Sequence, residues 1–312
     1  MHFKEHGVIL KKAGEAIEKV SYRGMDIELL ASYDGTEIIK HYLHKGARWS
    51  VGPTPNWDAL EFIYILSGEL HLLIDENQYQ LNSGDYVKML PIKSTCIFQA
   101  DENTEFIYAT SKPVFHSYSQ TIEQLKDLGI AVEEKDGYTA DHCSRIMRIS
   151  MLIGERLKLR ATELLYLNLG AFLHDIGKIH IPDSILQKPE KLTKEEWDEI
   201  KKHPIYGHDI LTQTNLPSLI QAAKIVEQHH ERYDGKGYPY GLKENEITIG
   251  ASIVSVADSY DAMTTDRVYR KALTEEEALA QLIEGSGSMY NPEVVQAFLS
   301  IYENFKKRGE KL

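Results

Sequence analysis

Near residue 115 the chain changes texture, and that change constrains its architecture more than any other feature. Residues 20 to about 115 favour strands. The stretch LEFIYILSGELHLLIDENQYQLNSGDYVKML is a series of short β-rich runs broken at Ser67-Gly68, Asp75-Glu76-Asn77 and Asn82-Ser83-Gly84-Asp85. Short strands at regular turn spacing make a sandwich or a barrel. Residues 119 to 312 read as helices, and two capping boxes, Thr193 with Glu196 and Thr274 with Glu277, mark helix starts. The boundary is expected near Pro113–Ser119, with TIEQLKDLGIAVEEKDG as a connecting helix and its exit. The expected fold is therefore multidomain: an all-β sandwich or barrel over residues 1–118, then an all-α domain over 119–312 that includes the linker helix.

Composition narrows the function. The 312 residues suffice for two cores. A formal net charge of −12 repels long polyanions, which argues against a nucleic-acid polymer as partner. A small anionic substrate stays compatible if bound metal ions supply local positive charge. The two cysteines, Cys96 and Cys143, form no CxxC pair and no disulfide framework, which fits a reducing cytosol. No apolar run reaches membrane-spanning length, and the first residues carry no signal-peptide core. The expectation is a cytoplasmic protein with no membrane partner.

The helical half concentrates histidine, at positions 142, 174, 180, 203, 208, 229 and 230. A single histidine is usually a satisfied core or surface imidazole. The cluster shifts those odds. In NLGAFLHDIGKIHIPDSIL, the stripe Leu165, Leu169, Phe172 and Leu173 ends at His174 and Asp175, just before Gly177. Neighbouring helix residues diverge by roughly 100°. A bridging Asp175 beside a terminal His174 suits that divergence better than two ligands on one ion. The plainer alternative is a helix end with a buried His–Asp hydrogen bond. His142 lies one turn before Ile146, on the face of Ile149 and Ile153, so it points inward. His203 precedes Pro204, where one helix gives way to the next. Ala222, Ile225, Val226 and His229 share a face, with His230 at its edge. Asp258 ends an apolar stretch, which points to burial and to a partner or a metal.

Five histidines and two aspartates are too many ligands for one tetrahedral zinc. They suit two divalent ions of mixed nitrogen and oxygen preference, iron or manganese. Paired ions of this kind cleave phosphoesters. The loop DGKGYP adds Gly235 and Gly237, for positive φ or close backbone approach, and Pro239 to stiffen the exit. It could equally be a tight surface turn.

These residues resemble the HD-GYP family, a branch of the HD phosphohydrolase superfamily. The likeness runs from about Tyr138 to about Phe298 through the ordered series HCSRI, FLHDIGKIHIPDSILQKPEKLTKEEW, HPIYGHDIL, HHERYDGKGYP, ADSYDAMTTDRVYRKAL and NPEVVQAF. The resemblance implies a cyclic-di-GMP phosphodiesterase that yields linear pGpG, many members continuing to GMP. It makes His142, His174, Asp175, His203, His229, His230 and Asp258 metal ligands. Asp175 bridges; His142, His174 and Asp258 complete one site, and His203, His229 and His230 the other. A metal-bridged hydroxide would be the nucleophile. Lys178 would hold a non-bridging phosphate oxygen and assist the leaving oxygen. Arg267 and Arg270 become phosphate contacts, with surface salt bridges as the plainer reading. Gly237, Tyr238 and Pro239 would lie at the substrate entrance or meet a partner such as a diguanylate cyclase. Tyr138 stands where some members carry a glutamate for a third metal, which favours two. Val268 stands where proline is usual, a change expected to shift a loop and leave the ligands alone. His180 and His208 match no ligand position and read as structural or exposed.

The first half resembles a cupin barrel, through Glu61 with Gly68 and Gly84 with Pro91. The metal histidines of many cupins would fall near Pro55 and Trp57 and are missing, so no metal is expected there. Trp49, Trp57 and Tyr64 could line a small-molecule pocket, but at least two of the three are expected in the core. Such a module suggests a sensor for a small ligand or a homodimerisation element. The rival functions are hydrolysis of another cyclic dinucleotide or nucleotide phosphoester, a non-catalytic module that senses cyclic di-GMP or docks a partner, and a cupin-centred activity with the helices as scaffold.

Overall fold

The computed structural model describes residues 2–3, 8–22, 24–53, 57–74, 77–116, 142–214, 216–265 and 271–308. The chain divides into two compact units, residues 1–124 and 125–312. The expected boundary at 118/119, the linker helix, Tyr138, Arg267, Val268 and Arg270 all lie outside the described residues.

The first unit is all-β. Its described strands are β1 (His2–Phe3), β2 (Val8–Ile9), β3 (Glu18–Tyr22), β4 (Met25–Tyr33), β5 (Thr36–Leu43), β6 (Arg48–Val51), β7 (Glu61–Ser67), β8 (Glu69–Ile74), β9 (Asn77–Asn82), β10 (Tyr86–Met89), β11 (Cys96–Ala100) and β12 (Thr104–Thr110). Besides the short β1–β2 pair they form a six-stranded sheet in the order β10-β7-β12-β5-β4-β3 and a four-stranded sheet in the order β6-β11-β8-β9. Side chains alternate in and out along each strand. Ile39 and Leu43 of β5, Ile63 and Ile65 of β7, Leu70 and Leu72 of β8, and Phe98 of β11 meet in one core with Trp49 and Phe106. This is the all-β architecture expected of the first half. One expectation fails. Trp49 is buried in that core, but Trp57 is only half-buried and Tyr64 is exposed. Tyr64 sits between Ile63 and Ile65, and the pleat turns it outward.

The second unit is helical: α1 (His142–Arg156), α2 (Ala161–Leu173), a 3-10 turn (Ile176–His180), α3 (Asp183–Leu186), α4 (Lys194–Ile200), α5 (His203–Gln213), α6 (Pro217–Gln228), α7 (Ile249–Thr264), α8 (Glu275–Glu284) and α9 (Pro292–Arg308). Both expected capping boxes form, with Thr193 capping α4 and Thr274 capping α8. Helix α7 runs through the centre. Ile253, Val254, Val256 and Ala257 are fully enclosed by Ile146 and Ile153 of α1, Leu167 of α2, Leu282 of α8 and Phe298 of α9. A helix apolar on most sides is a buried helix. Among the described residues no helix is long and apolar enough to cross a membrane.

Candidate metal centre

Helix ends deliver most of the candidate ligands. His142 opens α1, His174 follows α2, Asp175 leads the 3-10 turn, His203 opens α5, and His229 and His230 follow α6. Asp258 comes from within α7. The donor atoms of Asp175, His203, His229 and His230 lie within 4.8 Å of one another, and so do those of His142, His174 and Asp258. The structure thus brings all seven residues together in two neighbouring sets. His142, His174, Asp175, His203 and His229 are buried; His230 and Asp258 are half-buried, so Asp258 is less enclosed than its apolar stretch suggests.

A shared local device orients three of the rings. Helix ends leave backbone carbonyls without helical partners. His174 Nδ1 lies 3.0 Å from the Ala171 carbonyl, His203 Nδ1 2.8 Å from that of Ile200, and His229 Nδ1 2.7 Å from that of Val226. A carbonyl only accepts, so each Nδ1 carries the hydrogen. In the neutral ring Nε2 then holds a lone pair. His142 reaches the same state by another route, with Nδ1 2.7 Å from Oδ2 of Asp261.

Those lone pairs converge. His203 Nε2 and His229 Nε2 are 3.5 Å apart. Oδ1 of Asp175 lies 3.2 Å from His203 Nε2 and 3.9 Å from His229 Nε2, while Oδ2 lies 3.3 Å from His174 Nε2. One carboxylate oxygen therefore faces each set. Asp175 Oδ1, His142 Nε2 and His174 Nε2 are buried with no directed hydrogen bond. Buried acceptors aimed at one another are costly unless a cation lies between them. The residues fit a pair of divalent ions on this ground.

The electrostatics agree. Burial resists charge on His174, but the carboxylate of Asp175 outweighs it and lifts the ring to about 9. Burial would raise Asp175, yet Lys178 and His174 hold it well below the ordinary carboxylate range. The anions call for positive charge, and His174 answers with a proton where an ion would sit. His229 and His230 are pushed well below the ordinary histidine range, first by burial and then by neighbouring rings, so they stay neutral donors. Lys178 places Nζ 2.8 Å from Asp175 Oδ2.

Two glycines set the spacing. A Cβ on Gly177 would fall 1.9 Å from the His203 carbonyl oxygen, so only glycine lets the turn after Asp175 pass so close to α5. A Cβ on Gly237 would fall 2.3 Å from the Arg232 backbone nitrogen, while Gly235 uses positive φ, +77°. The Tyr238–Pro239 bond is cis. The Tyr238 ring stacks on His230 at 4.8 Å, so the loop lies over one set of candidate ligands.

The sequence reading missed the groups that support the ligands. Asp261 is buried, bonded to His142 and gripped by both Nε and an Nη of Arg145. Glu231 is buried beside the ligand pair and accepts the backbone N–H groups of Tyr240, Gly241 and Leu242, which folds the loop back on itself. A buried acidic residue next to two ligands was the available signal. Two other histidines stand apart: His180 is exposed against Tyr206, and His208 is half-buried beside Asp209. A further grouping, Glu69, His71 and Asp101, lies in the β unit, where His71 Nδ1 and Asp101 Oδ2 pair at 2.6 Å.

The HD domain family matches residues 112–294. A cyclic di-GMP phosphodiesterase of Thermotoga maritima is 34% identical over 92% of this chain and 74% of its own length. A 3'3'-cGAMP-specific phosphodiesterase of Vibrio cholerae is 33% identical over 59% of this chain and 35% of its own. A solved RmlC-like cupin from Shewanella frigidimarina aligns with 32% of this chain and 86% of its own, at 20% identity and a TM-score of 0.27.

Proposed function

Because this chain belongs to the HD domain family, we propose that its helical unit is a metal-dependent phosphodiesterase that hydrolyses cyclic di-GMP to linear pGpG or GMP. The observation that carries the reading is the convergence of the His174, His203 and His229 Nε2 atoms on the two oxygens of one carboxylate, Asp175, with His142 and Asp258 grouped beside His174. The Thermotoga relative, matched over most of both chains, supports the same activity and substrate.

In this reading His142, His174 and Asp258 would hold one ion and His203, His229 and His230 the other, with one oxygen of Asp175 turned toward each set. Iron or manganese suits this nitrogen and oxygen set. Such ions, when bound, lower the pKa of water and neutralise charge on a phosphodiester. The chain's own residues do the rest. Asp175 is kept anionic by Lys178. Lys178 holds a proton beside the cluster, where it can bind a non-bridging oxygen and later protonate the leaving oxygen. Arg267 and Arg270 are phosphate contacts by resemblance. Tyr238 walls the site against water through its contact with His230. The β unit acts as a regulatory module, as a small-ligand sensor or a contact between copies, and the loop around Tyr238 is the docking point for a diguanylate cyclase. The setting is the cytoplasm, which suits Cys96 and Cys143, neither of which is in a disulfide.

The test is turnover. Protein purified anaerobically and loaded with iron(II) or manganese(II) should convert cyclic di-GMP to pGpG or GMP, and Asp175→Ala should not. Equal product from the variant would remove the centre from the reaction. A second reading, 3'3'-cGAMP as substrate, is favoured by the Vibrio relative, and a panel of the two dinucleotides ranks them by kcat/KM.

A further inference from the structure

Helix α4 buries none of its seven residues, yet it carries an indole, Trp197, that is 46% exposed. The helix is firmly placed. Thr193 caps it, Glu196 closes the box, and Lys188 grips Glu196 at 2.7 Å. At its other end the Ile200 carbonyl fixes the His203 ring. The exposed indole and the carbonyl that orients a candidate ligand therefore ride one short helix, a single turn apart. Trp197 meets Tyr238 with ring centroids 6.4 Å apart and planes at 76°, and Tyr238 in turn stacks on His230 at 4.8 Å and 29°. An aromatic surface thus runs outward from the candidate ligands and ends at an indole open to solvent.

We propose that Trp197 is the platform on which one base of the cyclic dinucleotide stacks, with Tyr238 closing the platform on the side of the metal ligands. The proposal rests on the phosphodiesterase reading and adds a substrate-binding residue to it. A phosphodiester held at the Asp175 cluster leaves its base one ribose away, and Tyr238 and then Trp197 are the rings that lead outward from His230. The net charge of −12 gives an anionic substrate little general attraction, so affinity must come from local contacts. Stacking on an indole is such a contact, and it is indifferent to base identity because every base has a π-face. Trp197 therefore contributes affinity for the purine and leaves discrimination between cyclic di-GMP and 3'3'-cGAMP to other groups.

The experiment uses the full, metal-loaded chain with Trp197→Ala and Trp197→Phe. The alanine variant should raise KM for both dinucleotides by about 10-fold or more, with kcat held within about 2-fold, and phenylalanine should restore most of the loss. A phosphorothioate analogue of cyclic di-GMP should quench tryptophan emission in the wild type. That quenching should vanish in Trp197→Phe, although Trp49 and Trp57 remain. An unchanged KM in Trp197→Ala, a fall in kcat alone, or quenching that survives in Trp197→Phe would overturn the proposal while leaving the phosphodiesterase reading intact. Quenching through Trp197 without any hydrolysis would overturn that reading and keep the platform. Neither quenching nor hydrolysis would overturn both.

Discussion

His142 and Asp261 join α1 to α7 with Nδ1 2.7 Å from Oδ2, across 119 positions of sequence. The contact fixes the tautomer of His142, and the carboxylate makes the ring a better donor. Arg145 keeps Asp261 ionised; burial raises its pKa, but the bonds from His142 and Arg145 outweigh that and leave it lowered. Asp261→Asn retains the shape and removes the charge. Metal affinity at the His142 set should fall about 10- to 100-fold. Elemental analysis after dialysis should then show one ion per chain retained and the other lost. Retention of both at wild-type affinity would show that Asp261 does not tune the site.

The candidate ligands were legible because each sits in a short local pattern: a helix end, a dipeptide, an apolar stripe that stops. Asp261 and Arg145 were not, since their partner lies on another helix and nothing in the sequence spacing joins them. Glu231 stood in plain view between His230 and Arg232, but its role depends on a loop that returns ten residues later. In the β half the reverse difficulty arose. The run EFIYILS is apolar on both faces, so composition hides the pleat; position parity puts Glu61, Ile63 and Ile65 inside and Phe62, Tyr64 and Leu66 outside. Tyr64 could have been placed outside by counting in twos from Ile63.

Glu231 holds three backbone N–H groups of its loop, those of Tyr240, Gly241 and Leu242. Glu231→Ala leaves those donors without an acceptor, at a cost of about 1–3 kcal/mol for each donor that stays buried. The loop should loosen at 240–242 before the helices do, because these three consecutive N–H groups share this one acceptor. Hydrogen exchange should quicken at residues 240–242 while α2 and α7 keep wild-type protection. Exchange that stays slow there would mean the loop is held by other contacts.

Gly177 and the His203 backbone are in near contact, and a Cβ would also come 2.5 Å from the Gly207 nitrogen. Both obstacles are backbone, so no side-chain rotation relieves them. Gly177→Ala should cost about 1–3 kcal/mol or more, read from the urea midpoint. It should also part Asp175 from His203 and weaken metal binding at that set. Stability and metal content equal to the wild type would show that the turn can move freely from α5.

The β unit carries its own pH dependence in His41. The ring is 2% exposed, stacks on Phe106 at 4.7 Å, touches Trp49, and has no partner at Nδ1. Burial pushes its pKa from 6.5 to about 3, a fall that the nearby Ile39 backbone offsets only in part. The folded state therefore keeps His41 neutral while the unfolded chain protonates it below pH 6.5. Stability from this group is complete above that pH and drains away as pH falls toward about 3, with an upper bound of roughly 4–5 kcal/mol. His41→Phe keeps a ring against Phe106 and removes the titration. The variant's β unit should lose less stability on acidification than the wild type, read from the unfolding midpoint of that unit at stepped pH. Parallel pH profiles for the two proteins would place the acid sensitivity in other groups.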